Sequence, residues 1–214
     1  MIQNLLQLME KLEYEEDGWT SITSANWSGS DLVLQFRVQI SDAPPRVWSI
    51  HCGRPRSYRI LALENDDLVD LVNDHIVLWP HVQKQGELYF YGTPTDAFAL
   101  LGELVEKHKE MVGNWFPFDL FLNLPGRVSD IFRSGHGLVA KGPVQLLDAY
   151  AKILDNHHIR HSMLPPCDPL FWDGVHWIPE SPQLQALLIG ESYVVAPSFH
   201  AKEITEHDEP PAQI

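Results

Sequence analysis

Eleven histidines are many for 214 residues. Imidazole is the side chain best suited to metal ligation and to proton transfer near neutral pH. His157, His158 and His161 lie close together, and the i, i+4 spacing of His157 and His161 would put both rings on one face of a helix. Cys167 and His176 follow, so these four side chains could supply a zinc site. The competing reading is structural. The cluster sits at the end of a predicted helix over 143–155, where histidine complements the negative end of the helix dipole. The glutamate of an H-E-x-x-H motif is missing and there is no C-x-x-C pair. The helix-end reading is preferred, no metal or other cofactor is expected, and a metal-dependent enzyme using His157, His161, Cys167 and His176 stands as the alternative.

Other catalytic patterns fail on their chemistry. Gly135 to Pro143 resembles a phosphate loop, but Lys141 is followed by Gly142 and Pro143 where a hydroxyl residue should hold magnesium. Proline also removes an amide donor there. A glycine-shaped turn into a helix explains the segment better. No G-x-S-x-G elbow is present. Strand alternation puts Cys52 in the core with Trp48 and Ile50, and puts His51 on the opposite face. Ser134 and His136 are close in sequence, which is not how a catalytic triad is assembled.

What remains is surface chemistry. The chain carries 29 acidic and 15 basic residues, a formal charge of −14. Such a field repels phosphate backbones and anionic lipid and attracts a basic protein. Neither nucleic acid nor membrane is therefore expected as a partner. Glu64, Asp66, Asp67, Asp70 and Asp74 cluster without the alternating ligands and central glycine of a calcium loop. They read as a solvated helix face or as one side of a docking surface. Seven tryptophans are also many, and most should be core. Trp172 and Trp177 stand apart: they flank Asp173-Gly174 in a proline-rich stretch, which reads as a tight hairpin presenting two interface anchors.

These residues have to be positioned by an α+β fold. Ile2, Leu5, Leu6, Met9 and Leu12 recur at helical spacing. Leu32, Leu34, Phe36, Val38 and Ile40 alternate with polar residues, as a half-buried strand does. Strands at 46–52 and 57–63 follow through short turns, giving an antiparallel meander in the N-terminal half. Asn65 with Asp66 and Asp67 signals a short helix over 65–74. Thr93, Pro94 and Asp96 signal a capping box opening a long helix that runs to Val112. Ser181-Pro182 signals a last helix to Gly190, before a strand at 193–196. The expected architecture is a mainly antiparallel sheet with amphipathic helices packed over it, forming one domain over residues 1–202. Glu203 to Ile214 reads as a disordered acidic tail.

Two distant cysteines indicate no disulfide framework, and the N-terminus has neither a basic region nor an apolar run. A cytoplasmic protein is expected. With no catalytic constellation standing, a binding role outranks an enzymatic one. The most concrete form is an immunity- or antitoxin-type inhibitor of a basic toxin, such as a nuclease. Glu64, Asp66, Asp67, Asp70, Asp74, Trp172 and Trp177 are its expected partner-binding residues. An adaptor or self-assembling protein is a further alternative.

Overall fold

Alternation dictates the central strands. Leu32, Leu34, Phe36 and Val38 are buried while Gln35 and Arg37 point to solvent, and Trp48, Ile50 and Cys52 repeat the pattern on the next strand. The computed structural model describes residues 2–12, 18–40, 43–61, 64–65, 69–123, 130, 132–180 and 183–204. In chain order the elements are α1 (Ile2–Leu12), β1 (Trp19–Ser28), β2 (Asp31–Gln39), β3 (Arg46–Gly53), β4 (Ser57–Arg59), β5 (Glu64–Asn65) and β6 (Val69–Val72). Then come α2 (Trp79–Val82), β7 (Gln85–Tyr91), α3 (Ala97–Val112), β8 (His136–Pro143), α4 (Val144–Asn156), β9 (Arg160–Met163), β10 (Leu170–Trp172) and β11 (Trp177–Pro179). The last are β12 (Gln185–Ile189), β13 (Ser192–Ala196) and β14 (Ser198–Ile204). All the strand pairings are antiparallel, and the fold is α+β as expected.

The sequence reads as one domain over 1–202; the structure divides into two compact units, residues 1–78 with 181–214, and residues 79–180. In the first unit a five-stranded sheet of order β14-β3-β2-β1-β5 and a four-stranded sheet of order β4-β13-β12-β6 share one core. Leu5 and Met9 of α1 join Phe36, Ile50, Leu187, Val194 and Phe199 there. β13 is buried at every position; Tyr193 to Ala196 are apolar, and the buried Ser192 hydroxyl accepts the Leu61 N–H at 2.9 Å. In the second unit a three-stranded sheet of order β8-β7-β9 is backed by α4, which also packs on α3. Leu146, Leu147, Tyr150, Ile153 and Leu154 form the buried stripe of α4.

Three expectations are overturned. The segment predicted as a helix over 65–74 is not helical where it is described: Asn65 is in β5 and Val69–Val72 pairs with β12. Its valines fit a pleated surface, and the ladder offered by β12 outweighs the local acidic helix signal. The segment ending at Gly190 is likewise strand β12, because Gln185–Ile189 is hydrogen-bonded between β13 and β6 despite its leucine-rich, helix-favouring composition. Glu203 and Ile204, assigned to a tail, belong to β14, where Glu203 forms an ion pair with Arg46 of the neighbouring β3 at 2.6 Å. The rest of that expected tail, 205–214, lies outside the described residues, as do Ser181 and Pro182.

The long helix α3 starts later than the Thr93-Pro94 signal implies. Asp96 is the N-cap, and its carboxylate accepts the backbone N–H of Phe98 at 3.0 Å and of Ala99 at 2.9 Å. Asp96→Ala should therefore destabilise the chain by about 1 kcal/mol. Thr93→Ala should leave the urea midpoint unchanged; equal effects from the two substitutions would place the cap elsewhere.

Candidate partner-binding site

The proline-rich stretch folds as the sequence suggests. β10 and β11 form a two-stranded ribbon with register Leu170↔Pro179, Phe171↔Ile178 and Trp172↔Trp177. Asp173 builds the turn. Its carboxylate accepts the backbone N–H of Val175 and His176, each at 2.7 Å, and its own N–H donates to the His176 carbonyl at 3.1 Å. Gly174 adopts φ of 106°, a backbone conformation that side chains rarely allow. The amides donated by His176 and Val175 hold the Asp173 carboxyl below its ordinary pKa, so it is a fixed negative charge at neutral pH.

The ribbon exposes apolar surface on both sides. Leu170, Trp172 and Trp177 share one face and are 55%, 46% and 66% exposed; Ile178 on the other face is 40% exposed, and Val175 at the tip is 67% exposed. The two indoles are 5.6 Å apart between ring centroids. No third strand pairs with the ribbon among the described residues. An isolated two-stranded hairpin is marginal in water, and contiguous exposed apolar surface marks interaction sites. From Leu164 to Glu180 the segment contains Asp168, Asp173 and Glu180 and no lysine or arginine. It therefore presents aromatic anchors inside a negative field.

The acid cluster is arranged differently from the expectation. Glu64 is in β5, Asp66 and Asp67 lie outside the described residues, and Asp70 and Asp74 are exposed on and after strand β6. Glu64, Asp70 and Asp74 do not lie on a helix. They also belong to the first unit, whereas Trp172 and Trp177 belong to the second.

The alternative metal centre is not assembled as the i, i+4 spacing implied. α4 ends at Asn156, so His157 caps the helix and His161 is in β9. His157 faces Glu103 at 3.1 Å and His161 faces Asp155 at 3.0 Å. The Cys167 thiol points to the Gln85 carbonyl at 3.7 Å, and His176 is exposed in the ribbon turn. No group of three or more His, Cys, Asp or Glu side chains with metal-binding geometry occurs among the described residues. Cys52 is fully buried, and burial, with the nearby Asp31 charge, pushes its thiol up to about 12, which removes it as a nucleophile.

One buried polar constellation escaped the sequence reading. His108, on the apolar face of α3, has its Nδ1 2.8 Å from the Tyr150 hydroxyl and its Nε2 2.9 Å from the Phe116 carbonyl. A carbonyl only accepts, so Nε2 carries the proton and Nδ1 accepts from Tyr150. Both side chains are buried, so the arrangement ties α3 to α4 and offers no access to a substrate. The helix that carries His108 was legible; the partner of His108 on α4 was not. No helix among the described residues is long and apolar enough to cross a membrane. Comparisons with protein-family models, with curated proteins and with solved structures found no match to this chain.

Proposed function

We propose that this chain is a protein-binding protein that captures a basic protein partner through the β10–β11 ribbon. In its most specific form it is a cytoplasmic immunity- or antitoxin-type inhibitor that neutralises a basic toxin, such as a nuclease, by stoichiometric binding. The observation that carries the reading is the exposure of Trp172 and Trp177 side by side in a segment without positive charge, on a chain of charge −14. Tryptophan is enriched among the few residues that dominate interface energetics. The surrounding negative field accelerates encounter with a basic partner and selects against acidic ones. Asp70 and Asp74, both exposed, contribute to that field.

The test is capture from native-host lysate by the wild-type chain and by a Trp172→Ala/Trp177→Ala variant, followed by neutralisation of the captured protein's toxicity in cells. Wild type should retain one basic protein near one-to-one. The double variant, whose substitutions are on exposed positions and leave the fold intact, should bind it at least about 100-fold more weakly. Moving from low to high salt should slow association. Undiminished capture by the variant, or a captured protein that is acidic, overturns the proposal. Light scattering on the same samples separates the adaptor alternative: a self-association lost in the variant would make the ribbon a contact between copies of this chain.

A further inference from the structure

The outer face of the five-stranded sheet in the first unit brings together two histidines far apart in sequence. His51 of β3 and His200 of β14 are directly paired across the ladder, and both are exposed. On its other side His51 pairs with Val33 of β2, so the row reads Val33, His51, His200 and ends at the edge strand. The next row in one direction is Gly53 with Ser198. The Ser198 hydroxyl occupies the space over Gly53, 2.5 Å from where a Cβ would stand, so no bulky side chain crowds the pair from that side. The next row in the other direction is Gln35, Ser49 and Lys202, and Arg37 lies one row further. Among these outward positions, from Val33 to Gln39 and on the facing stretches of β3 and β14, none is acidic. Asp31, at the start of β2, has its carboxylate engaged by the Arg54 N–H and the Ser30 hydroxyl.

We infer that His51 and His200 form a two-imidazole chelate for a first-row divalent transition-metal ion on this sheet face. Directly opposed residues of an antiparallel pair have Cβ atoms about 4.5–5.5 Å apart. Two nitrogens bound to one ion at about 2.0–2.1 Å must approach within roughly 3.4 Å in a tetrahedral arrangement, which side-chain rotation across such a pair allows. Neither imidazole makes a hydrogen bond or ion pair with another described residue, so the ring lone pairs are not committed elsewhere. Imidazole suits nickel, copper and zinc, and with the one nearby carboxylate, Asp31, held by the Arg54 N–H and the Ser30 hydroxyl, the harder magnesium and calcium are not favoured. Two protein ligands leave the remaining positions to water or to a donor from another molecule, as an open site does. The neighbouring Lys202 and Arg37 weaken the attraction for a cation, while the charge of −14 on the whole chain strengthens it. The inference stands apart from the ribbon proposal, because it rests on other residues in the other unit.

The test uses the full chain without a histidine tag, titrated with nickel chloride and with zinc chloride by calorimetry and by NMR of the histidine side chains. One equivalent should bind, shifting the His51 and His200 signals together. His51→Ala and His200→Ala should each weaken binding at least about tenfold, whereas His136→Ala, at an exposed histidine of β8, should not. Undiminished metal binding in either variant overturns the inference. So does a titration with sodium phosphate that perturbs the same two histidines at lower concentration than the metals do, which would make this a face for anions held by Arg37 and Lys202.

Discussion

His108→Leu should destabilise the chain by about 2–5 kcal/mol, with helix amides of 97–112 and 144–156 losing hydrogen-exchange protection first. The substitution leaves the Tyr150 hydroxyl and the Phe116 carbonyl without the imidazole that satisfies them. Each buried polar group stripped of its partner costs about 1–3 kcal/mol. Tyr150→Phe removes only the donor to Nδ1 and should cost about 1–3 kcal/mol. The same pair sets a dependence on pH. Burial lowers the pKa of His108 from its ordinary 6.5, against the opposing effect of the Phe116 carbonyl. The groups packed around it are Tyr150, Phe116 and Phe121, none of them charged. Above pH 6.5 both folded and unfolded chains hold His108 neutral, and the full stability is present. Below it the unfolded chain binds a proton that the folded chain resists, so stability falls until the folded pKa is reached. The slope from this one group is at most about 1.4 kcal/mol per pH unit. Urea midpoints across about pH 5–8, for wild type and for His108→Gln, check it. The wild-type midpoint should drop more steeply on the acid side. Parallel profiles would mean that His108 titrates as it does in the unfolded chain.

Gly142→Ala should be the next most damaging of the substitutions considered, at about 1–3 kcal/mol or more. A Cβ at Gly142 would stand 2.6 Å from Phe121 Cδ1. Phe121 cannot yield easily. It is buried, packs edge-on to Phe116 at 5.5 Å between centroids, and lies 6.0 Å from the His108 ring. Its carbonyl also accepts the Lys141 N–H at 2.9 Å, which fixes its backbone against β8. Thermal unfolding of Gly142→Ala and of Gly142→Ala/Phe121→Leu checks the cause. The smaller ring-free side chain should recover part of the loss; a double variant that is additively worse would show that the glycine is needed for its backbone alone.

The second result concerns the segment that resembles a phosphate loop. Gly142 is one of its glycines, and the structure assigns it a packing role: it makes room for an aromatic ring beneath β8. Pro143 then opens α4, as a proline before a helix can without losing a needed donor.

The amino-acid sequence by itself determined the elements whose pattern is internal to them. The period-two run of β2, the apolar stripes of α1, α3 and α4, and the Asp-Gly ribbon between two tryptophans are written in neighbouring residues, so local physics specifies them. The exposure of Trp172 and Trp177 follows from the same locality, because six residues of ribbon have too little partner surface in their own segment to bury two indoles. Tertiary structure decided the rest. Val69–Val72 and Gln185–Ile189 are strands because each completes a ladder with the other, a term absent from either segment alone. Of the acids read as one helix face, Glu64 and Asp70 are at strand positions for the same reason. His157 and His161, four apart, face separate carboxylates once α4 ends between the expected and the required helix turn. His51 and His200, with no spacing to connect them, become neighbours because β14 returns to lie beside β3. Spacing along a chain reports side-chain proximity only within one regular element; between elements, proximity is set by which backbone hydrogen bonds and apolar faces remain to be satisfied.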